Sequence, residues 1–353
     1  MEPRDESVER SLEIQSRACA NLGSPLYSRL LTDLLDDYRS GGLVARVLDA
    51  RSERPVRDAL PLRLLGAVHR IVLRGDSPEL AGNYPSSSEF TGRPGARIPV
   101  DRFLDVVEEF NAEISDELGR QVQTNEVGRS VVHLSLANWL GHTGIREFDL
   151  IELGASAGLN MNFDRFHAST ANGVMGAHSS RVAFASDWFH TPPTVADRPA
   201  VCVDRMGCDV SPLDATRPDD ALRLVSFVWP DQTERLARLR GALAIALEYP
   251  PRIVDSSADA FLDGVLDSPG TRARLVFHSI VWQYLSNEVK DGVRRSLMQA
   301  GKRATPECPI IWARMEPAGD VADVRATVFS GKTTPDEYVL AEVGYHGQQL
   351  RWL

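Results

Sequence analysis

At 353 residues, 43% hydrophobic and 25% charged, with a formal charge of -10, the chain has ordinary globular make-up and room for one large domain or two moderate ones. The acidic balance disfavours partners that present phosphates, whether nucleic acid or an anionic membrane surface. There is no apolar run of about 18 residues, and the polar opening Met1 to Glu6 has no apolar stretch behind it, so neither a membrane span nor a secretory signal is expected.

A cytoplasmic protein acting on a small molecule is therefore expected, with its oligomeric state open. Cys19, Cys202, Cys208 and Cys308 form no C-x-x-C pair, which argues against a disulfide framework or a structural zinc. No close grouping of His, Cys and Asp marks another metal site.

From about residue 6 to 142 the periodicity predicts helices. Leu62, Leu65, Val68 and Val72, and then Phe103, Val106, Val107, Phe110 and Ile114, recur at spacings of three and four. A loop rich in Gly, Pro and Ser, Asn83 to Gly95, interrupts them as a connection or a lid. No strand is expected before Phe148. The run Phe148-Asp149-Leu150-Ile151-Glu152-Leu153 lacks alternation, as a strand buried on both faces does. Later strands are expected at Ala200 to Val203, Arg252 to Asp255, Leu275 to Phe277 and Pro309 to Ala313, with helices at Asp231 to Leu247 and Asp291 to Ala300 between them. Arg325 to Phe329, Glu337 to Val343 and Gln348 to Trp352 read as an antiparallel edge.

The first strand runs into Gly154-Ala155-Ser156-Ala157-Gly158. Glycines there let the backbone turn tightly, and a helix is expected to follow, with unpaired N–H groups at its start. Ligands of open α/β sheets gather at such carboxyl ends. The pentapeptide is also G-x-S-x-G, which makes Ser156 a candidate hydrolase nucleophile, with Asp255 and His278 or His346 available as partners in chain order. Helices rather than strands precede it, against that reading. A dinucleotide fingerprint would need glycines where Ser156 and Leu159 stand. A turn that binds nothing is the remaining alternative.

The segment Glu152-x-Gly154-x-Ser156-x-Gly158 resembles the acidic, glycine-rich loop of class I methyltransferases. That resemblance implies that Glu152, Gly154, Ala155, Ser156, Gly158 and Asn160 hold S-adenosylmethionine. Gly207-Cys208-Asp209 resembles the end of that family's second strand, so Asp209 would take the ribose hydroxyls. This requires an insertion of about residues 168–199, because the acid usually follows the loop by about 20 residues. Ser256-Ser257-Ala258-Asp259 resembles the turn that meets the adenine, which implies that role for Asp259. The plain alternative is an N-cap or an Asx-turn for Asp209 and helix capping for Asp259. His278, after the next strand, is the candidate catalytic base, or else a buried histidine with its bonds satisfied.

Gln123, Asn125, Glu126 and Arg129 crowd polar groups ahead of an apolar helix, as a substrate wall does, although Glu126 and Arg129 also have ion-pair spacing. Trp229, Trp282 and Tyr284 offer aromatic faces to a sulfonium, whereas Trp229-Pro230-Asp231-Gln232 also reads as an ordinary helix start. Taken together, Gln123 to Arg129, Glu152 to Asn160, Gly207 to Asp209, Val228 to Gln232, His278 to Leu285 and Gly344 to Gly347 resemble a largely uncharacterised actinobacterial family of unknown function, sometimes described as methyltransferase-like. The resemblance spans nearly the whole chain. It implies an α/β fold: a Rossmann-type class I methyltransferase sheet at 146–353, mostly parallel with an antiparallel C-terminal edge, and an N-terminal helical cap at 1–145. The implied activity is methyl transfer from S-adenosylmethionine to a small-molecule O or N nucleophile. The alternatives are a Ser156 hydrolase and a cofactor-binding protein without chemistry.

Overall fold

A computed structural model describes residues 7–49, 51, 53–92, 95 and 97–353. The chain divides into two compact units, Met1–Thr124 with Pro218–Ala237, and Asn125–Arg217 with Arg238–Leu353.

The first unit is helical. Its apolar periodicity becomes a single core: Leu64, Leu65, Val68, Ile71 and Val72 of the helix Leu60–Arg74 are at most 2% exposed, and burying each such side chain contributes about 1.5–3 kcal/mol. Gly75, at φ +83°, ends that helix in the left-handed conformation a C-cap favours. The second apolar series splits at Phe110 into the helices Val100–Glu109 and Asn111–Leu118. Around Asn83, the side chain of Ser86 bonds His69, and Thr91 donates to the Gly82 carbonyl. Arg93 and Pro94 of the expected lid lie outside the described residues. The stretch 218–237 belongs to this unit, where Trp229, 7% exposed, packs into the core. Asp231 caps a neighbouring helix rather than its own: it accepts from Ser24 Oγ at 2.5 Å and from the Leu26 amide at 3.0 Å, at the start of the helix Pro25–Arg39.

The second unit carries all the strands among the described residues: β1 Glu147–Leu153, β2 His167–Thr170, β3 Gly173–Gly176, β4 Ala183–Phe184, β5 Phe189–Thr191, β6 Val201–Asp209, β7 Ile253–Asp255, β8 Ala273–Ser279, β9 Ile310–Ala318, β10 Val321–Phe329, β11 Asp336–Val343 and β12 Leu350–Trp352. Nine of them form one sheet in the order β5-β12-β11-β10-β9-β8-β1-β6-β7. β7, β6, β1, β8 and β9 are mutually parallel, and β9 to β12 form an antiparallel meander. The chain starts this sheet in the middle, builds outward through β6 and β7, and then restarts on the other side of β1 with β8. The strand order therefore reverses between β1 and β8, the kind of place where the carboxyl ends of an open sheet leave a crevice.

Both faces of the parallel strands are covered, which is why their sequences do not alternate. Ile151, Leu153 and Val276 pack with Phe261, Leu262, Val293 and Leu297 from the helices Ala258–Leu266 and Asn287–Gly301. On the opposite face, Phe148 and Phe277 meet Phe163 and His133. His133 lies in the helix Ser130–His142, which is buried on almost every side and groups with the sheet, so the contact boundary falls at Thr124/Asn125 rather than near residue 145.

The stretch 168–199 does intervene between β1 and β6. It holds the small sheet β3-β2-β4 and then β5, which reaches the far edge beside β12. One local expectation fails. The glycine loop leads not into an α-helix but into the 3-10 segment Leu159–Arg165, irregular at Asn162. The Met161 carbonyl, which a continuing α-helix would use, accepts from Arg205 instead, and the Asn160 and Asn162 side chains are tied to the carbonyls of Glu126 and Tyr249. Among the described residues, no helix is long and apolar enough to cross a membrane, and no group of three or more His, Cys, Asp or Glu is placed to hold a metal.

Candidate functional site

At the carboxyl end of β1 the backbone turns through three left-handed residues, Gly154 (φ +66°), Ser156 (φ +54°) and Gly158 (φ +69°). The glycines take this conformation without steric cost. Ser156 is held in it by its surroundings: its amide donates to Asp209 Oδ2 at 2.9 Å, and its carbonyl accepts from the Leu213 amide. Asp209 Oδ1 accepts from the Ser211 amide, also at 2.9 Å. Pairing of Glu152 with Gly207 and of Leu153 with Cys208 brings Asp209 level with the loop despite the intervening stretch.

Cys208 sits among acidic groups. Burial pushes its thiol up to about 12, with Asp209, Glu152 and Asp259 adding their negative charge. Asp259 lies in the first turn of the helix Ala258–Leu266, packed against Gly292, and its Oδ1 is buried without a hydrogen-bond partner. Gly154 is covered by the chain itself, since a Cβ there would lie 2.6 Å from Val281 Cγ2.

The polar segment after the helical unit is stitched to this loop. Asn125 Oδ1 accepts from the Leu159 amide at 2.9 Å, and Asn160 donates to the Glu126 carbonyl at 3.1 Å. The Glu126 side chain accepts from the Gly128 amide. Arg129 donates to the carbonyls of Ser279, at the end of β8, and Tyr345. A side chain at Gly128 would collide with the His346 carbonyl, so Gly128 lets the two segments touch.

Two histidine–glutamate pairs, the first buried and the second partly so, lie on opposite faces of the sheet. On one, His133 Nε2 stands 3.7 Å from Glu152 Oε2, with both imidazole nitrogens and that oxygen lacking a hydrogen-bond partner. On the other, His278 Nδ1 is 2.6 Å from Glu316 Oε1, while His278 Nε2 and Glu316 Oε2 are buried without partners. The Val281 and Trp282 amides also donate to Glu316 Oε1, at 3.1 and 3.2 Å. The Trp282 indole stacks on the imidazole, with centroids 5.2 Å apart and planes 15° from parallel.

The structure therefore gathers Asn125, Glu126, Arg129, Glu152, Gly154, Ala155, Ser156, Gly158, Asn160, Asp209, Asp259, His278 and Trp282 around the strand ends. Trp229 lies instead in the core of the helical unit, Gln123 closes that unit half-buried, and Tyr284 is 69% exposed. The sequence reading missed His133 and Glu316. Glu316 closes an apolar strand much as Glu152 does, but the expected strand stopped at Ala313, short of the acid. His133 follows the polar segment by less than two turns in an otherwise apolar helix.

Residues 9–352 match a family described as an uncharacterized protein conserved in bacteria (DUF2332). The chain belongs to this family. No curated protein matches it. The stretches whose resemblance pointed to a family of unknown function, Val228 to Gln232 excepted, meet at this end of the sheet. Two modest cavities lie elsewhere in the same unit: one of about 290 Å³ beside Trp139, His142 and Trp352, the other of about 120 Å³ beside Arg274, Arg303 and Cys308.

Proposed function

We propose that this protein binds S-adenosylmethionine at the carboxyl ends of β1 and β6 and transfers its methyl group to a small-molecule O or N nucleophile. The observation that carries the reading is the left-handed loop at the reversal of strand order, with the Asp209 carboxylate bonded to its Ser156 amide. The parallel strands, in order of appearance, run third-second-first-fourth-fifth, which supports a Rossmann-type reading. The departure is the β9 to β12 meander. Acidic groups suit a ligand carrying a sulfonium and an ammonium, and the carboxylate of Asp209, at a strand end beside the loop, suits vicinal hydroxyls. The buried, unpartnered Oε2 of Glu152 is an acceptor in want of a donor. These features support the reading, with Asp209 able to take hydroxyls only through the lone pairs that the Ser156 and Ser211 amides leave. Val281 fills the space over Gly154, so that glycine serves packing.

Bound there, S-adenosylmethionine supplies an electrophilic methyl group. The chain's own task is to hold two reactants in line and exclude water, worth more here than strong acid–base power. Asp209 would grip the sugar, Glu152 the amino group and Asp259 the adenine, while Asn125, Glu126 and Arg129 brace the loop. Calorimetry with S-adenosylmethionine and S-adenosylhomocysteine tests the reading. Binding is expected, weakened at least about tenfold in Asp209→Asn, which loses a charge-assisted contact. No heat with either ligand on the intact protein sinks it.

One observation favours the hydrolase: the left-handed Ser156 suits a nucleophile turn. Against it, the turn leads into a 3-10 segment. Fluorophosphonate labelling that vanishes in Ser156→Ala would reverse the order, and tight ligand binding with no turnover would favour a non-catalytic role.

A further inference from the structure

We propose that His278 and Glu316 form an acid–base dyad: Glu316 fixes the imidazole with its proton on Nδ1, and the bare Nε2 takes the proton of the methyl acceptor. The inference deepens the proposed function and rests on it for the identity of the acceptor. The dyad geometry stands independently.

The protonation pattern follows from counting donors. Glu316 Oε1 receives two backbone N–H groups, from Val281 and Trp282, and so acts as an acceptor. A third contact to that oxygen, at 2.6 Å, is attractive only if His278 Nδ1 carries a hydrogen. In a neutral imidazole the other nitrogen then has no proton and one lone pair. Nε2 is buried and has no partner. Nε2 is thus an acceptor left open in the fold, unlike the nitrogens of a histidine whose bonds are complete.

The surroundings fit a base. His278 is 1% exposed at the carboxyl end of β8, beside the reversal of strand order, with Trp282 and Trp312 against its ring. Any proton gained at Nε2 leaves the ring's other N–H bonded to the Glu316 carboxylate at 2.6 Å. When an O–H or N–H bond of the acceptor breaks, the proton goes to Nε2 and the electron pair stays on the acceptor heteroatom. The resulting imidazolium faces the Glu316 carboxylate, as in other oriented histidines. Glu316 is thus a positioning residue, and His278 is the group that meets substrate.

The same carboxylate holds the segment that covers the ring. Ile280, a β-branched residue at φ +54°, is held in the left-handed conformation that such side chains disfavour. The turn it makes brings the next two amides onto Glu316 Oε1 and lays the Trp282 indole on the imidazole. Access to Nε2 is expected to involve movement of this short segment.

The test is nitrogen NMR on the full chain with labelled histidine, using His278→Asn to identify the resonances. Long-range proton–nitrogen correlations are expected to show Nδ1 protonated, Nε2 bare and the Nδ1 proton far downfield. In Glu316→Gln, which keeps an acceptor oxygen for the same three donors, that proton is expected to move upfield while the tautomer is retained. A proton on Nε2 in the unmodified protein overturns the dyad, as does a Glu316→Gln spectrum identical to wild type. The unmodified protein alone answers the first point if the variant fails to fold. Because no cofactor is needed, failure here and failure of S-adenosylmethionine binding fall on separate claims.

Discussion

His69 in the helical unit and His278 in the sheet unit are both almost wholly buried, at 0% and 1% exposure, yet they are treated differently. His69 has both ring nitrogens engaged, Nδ1 with the Ser226 carbonyl at 2.9 Å and Nε2 with Ser86 Oγ at 2.7 Å. One nitrogen of His278 has a carboxylate and the other has nothing. The first arrangement ties three segments of one core together. The second keeps an unsatisfied atom at the end of a central strand. Burial alone therefore does not tell these two histidines apart, whereas their hydrogen bonding does.

Breaking the helical side should cost most. Trp229→Ala removes a large side chain from its core and is expected to lower unfolding free energy by about 3–5 kcal/mol, read by urea denaturation. A loss under about 1 kcal/mol would return Trp229 to the list of ligand-facing candidates. His69→Leu strips the partners of Ser226 and Ser86 together, for an expected loss of about 2–4 kcal/mol.

The matching change in the sheet sharpens the contrast. His278→Asn can keep a donor toward Glu316 while deleting the unpartnered nitrogen, so its thermal stability should stay within about 1 kcal/mol of wild type. If it is as damaging as the His69 change, the two histidines are both structural. The smallest effect concerns alkali. Burial raises the thiols of Cys19, Cys202 and Cys208 from 9.0 to about 12. The folded state thus favours the neutral thiol, a contribution fully present below pH 9 and lost as pH rises toward 12. Melting temperature should fall over that window and less steeply in Cys208→Ala. An unchanged slope would show that the Cys208 thiol does not govern it.

The sheet was legible where one segment states its own structure. Phe148 to Leu153 is too apolar to alternate, and the glycines at 154 and 158 announce the turn. The antiparallel end was legible from its alternation and turn residues. What escaped depends on partners far away in sequence. The 3-10 segment at Leu159–Arg165 exists because Asn125, Glu126 and Tyr249 bind its polar groups. The allegiance of 218–237 to the first unit is a tertiary fact, recorded in contacts such as Asp231 with Ser24. The helix Ser130–His142 did carry a signal: it is apolar all round, as a helix lying on a sheet is, and unlike its amphipathic predecessors. Site residues picked by type, such as Asp209 and His278, came with neighbours that sequence does not provide, the Ser156 amide and Glu316.

The two rims of the large sheet are β5 and β7, each only three residues long. The first comes from the middle of the chain and lies parallel to β12, which pairs with the eight-residue β11 only at Ala341 and Glu342. Long, bare rims recruit strands from other molecules and seed fibrils. At these rims β7 pairs with only the last three residues of β6, and β12 with two residues of β11, so the shortness of the rims does not by itself keep the neighbouring strands from such self-association.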